Sequence, residues 1–241
     1  MHTLRFSNYQ ELSAYAANEI ANAIKEKPAL ALCMASGHTP ALTAELLAKK
    51  LLDEKIDYSQ ITFLGLDEWV GLPKENEGSC HYFFKTKIFE PLQLQPSQYF
   101  LFDAMSSDLE NECKKMDAII ADKGGIDIML VGIGMNGHIG FNEPGTPFNI
   151  QCHVIELDDT TKTVGQKYFK EKTELHKGIT IGLGHLMNAK KVFLKADGKR
   201  KAEVIQKTVE GEFSESFPAS IMQQHTNGFV IVDEEAASLL K

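Results

Sequence analysis

The sequence predicts an α/β fold: a three-layer, Rossmann-like domain with a largely parallel sheet flanked by helices. Three observations carry that prediction. Short apolar runs of strand length (Ala29–Met34, Ile61–Leu66 and Ile126–Ile133) recur between stretches of helical periodicity, the pattern of strands buried on both faces. Loops rich in glycine and proline follow the carboxyl ends of these runs, where open α/β sheets bind ligands. The chain of 241 residues, 43% of them hydrophobic, can fill one sizeable core, and no linker-like stretch divides residues 1–241.

In chain order, Leu12, Ala16, Ile20, Ala23 and Ile24 recur at helical spacing and predict a first helix over Tyr9–Lys25. The later strand-like runs are His153–Leu157, Ile179–Leu183, Val192–Ala196 and Phe229–Val232. Helices are expected at Pro40–Leu52, Cys80–Phe89, Leu109–Ala121, Thr160–Phe169, Lys199–Val209 and Ala236–Leu240. Alternation of this kind implies parallel strands joined by crossover helices. There is no internal repeat and no low-complexity tract.

A formal charge of −8 argues against broad attraction to nucleic acid or an anionic membrane, although a local basic site can still hold a phosphate. No apolar stretch approaches the ~20 residues of a membrane span, and the first residues lack the pattern of a signal peptide. Cys33, Cys80, Cys113 and Cys152 have no C-x-x-C spacing, so reduced, buried thiols in a cytoplasmic protein are expected. Self-association is left open, and a homo-oligomer stays among the expectations.

The segment Gly132–Gly145 holds the densest chemistry. It places His138 and Glu143 in one glycine-rich loop after a strand, a base beside a carboxylate that can orient it. Gly132, Gly134 and Gly137 also satisfy G-x-G-x-x-G, yet Pro144 forbids the regular helix that a dinucleotide pyrophosphate would need. Asp67 and Glu68 end another strand, next to an apolar stretch Trp69-Val70-Gly71-Leu72-Pro73. A carboxylate in such surroundings gains basicity and suits proton abstraction from carbon. Asp67, His138 and Glu143 could ligate a metal by residue type, but proton transfer is the favoured reading.

Two further stretches read as phosphate-binding. Ser36-Gly37-His38-Thr39 joins the first strand to a helix whose first turn starts at Pro40, with Thr39 as its N-cap. Free N–H groups and a positive dipole end there would favour an anion. Lys199-Arg200-Lys201 puts three cations in another first helical turn, an arrangement that a bound phosphate would stabilise.

These motifs together resemble the hexosamine-6-phosphate deaminase/isomerase family, which is related to 6-phosphogluconolactonase. The resemblance runs almost end to end, through Ser36–Pro40, Leu66–Pro73, Gly137–Gly145, Val209-Glu210-Gly211 and Pro218-Ala219-Ser220. The Phe141-Asn142-Glu143-Pro144 run favours the deaminases over the lactonases. The resemblance implies a cofactor-free isomerisation and deamination of a small-molecule sugar phosphate. His138 would open the ring, with Glu143 as its partner, and Asp67 would be the enolising base. Ser36, Gly37, His38, Thr39, Lys167 and Lys201 would hold the phosphate, Lys167 replacing a frequent arginine. Asn136 stands where many members carry aspartate; it can orient His138 but not stabilise imidazolium by charge. Trp69 and Cys80 look like the galactosamine branch, and His153 and Ile155 replace the cations of allosterically activated members. A non-catalytic sugar-phosphate sensor and a 6-phosphogluconolactonase are the alternatives.

Overall fold

The computed structural model describes residues 1–241. Its centre is a seven-stranded, all-parallel sheet. The strands are β1 (His2–Phe6), β2 (Ala31–Met34), β3 (Thr62–Gly65), β5 (Tyr99–Phe100), β6 (Ile128–Val131), β9 (Lys191–Ala196) and β10 (Gly228–Asp233), in the spatial order β1-β10-β9-β6-β2-β3-β5. A second, antiparallel sheet of three short strands joins β4 (Asp67–Trp69), β8 (Lys177–Thr180) and β7 (His153–Glu156) in the order β4-β8-β7.

The continuous apolar runs are buried on both faces, as the α/β prediction requires. In β6, Ile128 and Leu130 pack into the core on one side of the sheet, with α1 (Tyr9–Glu26) and α2 (His38–Asp53). Met129 and Val131 pack into the core on the other side, with α5 (Leu109–Asp122) and α8 (Ala202–Glu210). β2 divides in the same way, Leu32 and Met34 against Cys33. The period-two alternation of side chains therefore supplies two cores from one run of residues.

Several expectations are corrected. The runs at His153 and Ile179 are strands, but they pair with each other and with Asp67–Trp69 outside the parallel sheet. β7 is only half-buried, without the continuous apolar pattern of a central strand. The run from Ile179 ends at Thr180, and Gly182 precedes a short helix α7 (Leu183–Asn188). β1 was not expected, because His2-Thr3-Leu4-Arg5-Phe6 is an edge strand with polar positions; it lies parallel to β10. β5 was also unforeseen, being only two residues long. Ala236–Leu240 forms turns in place of a helix, with the Ala236 N–H donating to Asp233 Oδ1 at 2.8 Å. Cys80–Phe89 divides into α3 (Cys80–Phe84) and a π-helical turn, Lys85–Phe89, which runs into the short α4 (Glu90–Leu92). Thr160–Phe169 becomes α6 (Asp159–Gly165) followed by a 3-10 turn, Gln166–Tyr168. Lys199–Lys201 is likewise a 3-10 turn leading into α8. The second helix begins at His38, two residues before Pro40, so Gly37 and not Thr39 is its N-cap.

The topology fixes the site. From β2 the chain runs outward to β3 and β5, then returns to the opposite flank of β2 as β6 and continues to β9 and β10. The direction of winding thus switches between β2 and β6, and the crevice beyond their carboxyl ends is where a ligand fits in such a sheet. The loops after β2, β3, β6 and β9 all leave that edge. No helix is long and apolar enough to cross a membrane.

Candidate active site

A cavity of ≈ 200 Å³ lies at this switch point, lined by residues of all four loops together with α6 and the turn after it. The loop after β6 supplies His138. Its Nδ1 lies 2.9 Å from Thr161 Oγ1 and 3.2 Å from Glu143 Oε2, so Nε2 is the ring nitrogen left to meet a substrate. The ring also lies close over Gly134, where an added Cβ would sit only 2.5 Å from Nε2. Only a glycine allows that approach.

Glu143 is 3% exposed and accepts a 2.8 Å bond from Asn136 Nδ2. Burial pushes the Glu143 carboxyl up, but its bonds with His138, Thr161 and Asn136 outweigh that and hold it below its ordinary value. It is therefore an ionised partner for the imidazole. Asn136 Oδ1 accepts from the His138 backbone N–H at 3.2 Å. Asn136 thus fixes Glu143 and the loop; its expected hydrogen bond to His138 goes to the backbone and not to the ring. Asn142 ties the same loop to β8's end, donating to Ile139 O at 2.7 Å and Ile181 O at 3.0 Å.

Asp67 and Glu68, adjacent in β4, face opposite ways. Asp67 lines the cavity, and Cys80 Sγ lies 3.6 Å from its Oδ1. Burial, then the neighbouring Glu68 charge, push the Asp67 carboxyl up to about 7, against a smaller opposing effect of Cys80. Glu68 turns away and accepts from the backbone N–H groups of Trp69 (2.9 Å), Cys80 (3.0 Å) and His81 (2.8 Å). It serves the free amides at the start of α3, the role of a helix cap supplied from a distant strand. Trp69 is buried against Phe141, with ring centroids 4.5 Å apart, and forms the apolar wall expected beside Asp67.

The opposite end of the cavity is cationic. Ser36, Gly37 and Thr39 line it at the start of α2, together with Lys167, Arg200 and Lys201; His38 is the first residue of that helix but does not line the cavity. Gly37 has φ 97°, and a Cβ there would meet the Tyr168 hydroxyl at 2.7 Å. Lys201 donates to Ile133 O at 2.5 Å. Burial and the neighbouring Arg200 and Lys167 lower its ammonium to about 8. Burial and Arg200 lower Lys167 as well. Three converging cations repel one another until an anion joins them.

Each site residue expected from the sequence except His38 therefore lines or supports one cavity. Thr161 and Tyr168 were missed. Arg200 was visible within the basic run, but nothing in the sequence marks Thr161 as a hydrogen-bond partner of a histidine 23 residues earlier. A separate cluster of Asp117, Cys152 and His185 joins α5, the residue before β7, and α7, with His185 Nε2 2.7 Å from Asp117 Oδ1. All four cysteines are buried and unbridged.

Comparison with known proteins agrees with this geometry. Residues 7–231 match the family model described as glucosamine-6-phosphate isomerases/6-phosphogluconolactonase. Glucosamine-6-phosphate deaminase of Bacillus velezensis is 38% identical over 238 residues, 98% of this chain and 99% of that protein. Its namesake in Bacillus pumilus is 40% identical over 240 residues, 99% of this chain and all of the relative. A solved monomeric glucosamine-6-phosphate deaminase superposes with a TM-score of 0.95 at 38% identity, covering 99% of this chain and 100% of that one. The 6-phosphogluconolactonase of Trypanosoma brucei, at 18% identity and a TM-score of 0.81 over 100% of this chain and 98% of its own, shares the fold.

Proposed function

Because the chain belongs to the family of glucosamine-6-phosphate isomerases and 6-phosphogluconolactonases, we propose that its cavity converts a 2-amino-2-deoxyhexose 6-phosphate to the ketose 6-phosphate and ammonia. The observation that carries this reading is the polarity of the cavity. A half-buried carboxylate of raised basicity and a carboxylate-backed imidazole share it with a cluster of three cations at the N-terminus of α2.

In this reading the 6-phosphate sits against Ser36, Gly37 and Thr39, with Lys167, Arg200 and Lys201 around it. His38 contributes through the first turn of α2. Nε2 of His138 takes the proton of the C1 hydroxyl and returns one to the ring oxygen, which opens the sugar. Glu143, ionised and 3.2 Å from Nδ1, stabilises the imidazolium formed on the way. Asn136 keeps Glu143 in place. Asp67 then removes the C2 proton as O1 gains one, giving the enolamine, and delivers the C2 proton to C1 while the amine gives up a proton in place of the one taken by O1, leaving a C2 imine; water adds at C2 and ammonia departs. Trp69 and Phe141 keep bulk water from Asp67, which preserves its basicity.

Glucosamine 6-phosphate is the substrate we place first, following the relatives named above. The galacto epimer is the second reading, favoured by Trp69 and Cys80 beside Asp67. All these side chains come from one chain, so turnover requires no residue of a second copy. The buried, unbridged thiols suit a reducing compartment such as the cytoplasm. The test is ammonia release from both hexosamine 6-phosphates, run beside a 6-phosphogluconolactone hydrolysis assay. Ammonia with either epimer is the expected result. Lactone hydrolysis alone would replace the reading, and phosphate-dependent binding without turnover of any substrate would make the chain a sensor.

A further inference from the structure

One buried charge has no part in the chemistry above. Lys195, next to the carboxyl end of β9, is 1% exposed, although its neighbours Leu194 and Ala196 show that an apolar side chain is the ordinary occupant of this strand. Its ammonium donates to three neutral oxygens: Ser13 Oγ at 2.6 Å, Thr39 O at 2.8 Å and Thr43 Oγ1 at 2.9 Å. The Tyr9 ring covers it at 4.4 Å. No carboxylate pairs with it, and a buried, unpaired cation is costly unless something else in the structure favours its charge.

What it touches suggests the reason. Thr39 belongs to the first turn of α2, the turn that presents its N–H groups to the cationic end of the cavity. Tyr9 grips the same turn, its hydroxyl donating to His38 O at 2.9 Å and accepting from Leu42 N at 3.2 Å. We propose that Lys195 is a positioning residue for the substrate phosphate, a buried cation that anchors the first turn of α2 and adds positive potential behind it. This rests on the phosphate site assigned above.

A dianion in the cavity would supply, at a distance, the charge that Lys195 lacks in contact. Of the groups packed around it, Ser13, Thr39 and Thr43 are neutral and Tyr9 from α1 is a phenol. Asp197, beyond the end of β9, is the one carboxylate whose charge acts on it. Burial lowers Lys195 to about 7, against the opposing pull of Asp197. A phosphate monoester should therefore bind with uptake of a proton by Lys195 above neutral pH, and its affinity should fall as pH rises.

Lys195→Met keeps the length and removes the charge. It should raise KM for glucosamine 6-phosphate about tenfold at pH 6.5 with kcat within about twofold, as expected when uniform binding is lost. The Kd for sorbitol 6-phosphate, which has no amine or carbonyl to react, should rise equally, and both penalties should shrink by pH 9. Thr43→Val provides a second variant, taking away one acceptor while retaining the lysine. Its KM should exceed that of wild type near pH 7, where the wild-type lysine is about half charged, and approach wild type by pH 9. A Lys195→Met penalty that is absent, or equal at pH 6.5 and pH 9, overturns the proposal. So does a Thr43→Val KM that follows wild type throughout. A wild-type chain that binds sorbitol 6-phosphate but releases no ammonia would overturn the proposed reaction and still allow the Lys195 test.

Discussion

Replacing Asp67 by Asn should cut turnover by orders of magnitude and at the same time stabilise the protein, by an amount set by pH. Asp67 is held in surroundings that favour its protonated form, with its carboxyl raised from 3.8 to about 7. A raised carboxyl favours the folded state fully only below its unfolded value, and that contribution is lost as pH rises until the folded group has ionised above about 7. Between pH 5 and pH 7 the folded protein holds a proton that the unfolded chain has largely released, for about two pH units at 1.36 kcal/mol each, or ~2.7 kcal/mol. Asn carries no charge to bury, so the advantage of Asp67→Asn over wild type should grow by up to ~2.7 kcal/mol from pH 5 to pH 8. At ~2–4 °C per kcal/mol for a chain of this size, the Tm difference should widen by up to about 5–11 °C. Activity should fall by ~10²–10⁴-fold, the range for loss of a positioned base, and exchange of the substrate C2 proton with solvent should stop. Paired thermal melts at pH 5 and pH 8 test the first half, and deuterium exchange at C2 tests the second. A Tm difference that does not change with pH would show that Asp67 is not held in a protonation-favouring site. Near wild-type exchange would remove it as the enolising base.

The same values predict a narrow pH profile: kcat/KM should fall below about 7 as Asp67 is protonated and fall again above about 7–8 as Lys195 and then Lys201 lose their protons, and full activity at pH 5.5 would contradict the first limb. His138→Gln should slow a cyclic substrate far more than an open-chain analogue, because only the cyclic sugar needs ring opening; equal losses in the two rate measurements would count against that assignment. Lys201→Ala should raise KM for phosphorylated substrates with little change in kcat, whereas an unchanged KM would make it a solvated cation. Initial-rate curves should be hyperbolic without N-acetylglucosamine 6-phosphate, since His153 and Ile155 offer no cationic pair, and sigmoidal curves relieved by that effector would refute this.

The sequence was most informative where one periodicity dominated. The apolar runs at Ala29, Ile61 and Ile126 gave central parallel strands because each must bury both faces. His153 and Ile179 marked strands correctly, but their place in a second sheet depends on which neighbour they meet, and local pattern carries no such information. β1 was hidden because an edge strand needs only partial burial. Within the site, the His138–Glu143 pair was legible because both residues belong to one short loop. Thr161 was not, because it reaches His138 only after α6 folds over the cavity. The basic run was legible as a phosphate site, whereas Lys195 was hidden inside an apolar strand pattern.

The Asp67-Glu68 dipeptide shows why adjacency alone assigns no role. Two carboxylates next to each other look interchangeable in a sequence, but a strand sends successive side chains to opposite faces. One must therefore face the crevice and the other must be satisfied within the protein. Glu68 meets that requirement with three backbone N–H groups, two of them at the start of α3. That helix begins with Cys80, whose thiol lies against Asp67. Glu68 consequently acts on the cavity twice, through its charge on Asp67 and through the placement of Cys80. Moving the base to position 68 would destroy both effects, because an Asp there could not span the same three amides. The order of the two acids in β4 is thus fixed by the helix that follows as much as by the reaction.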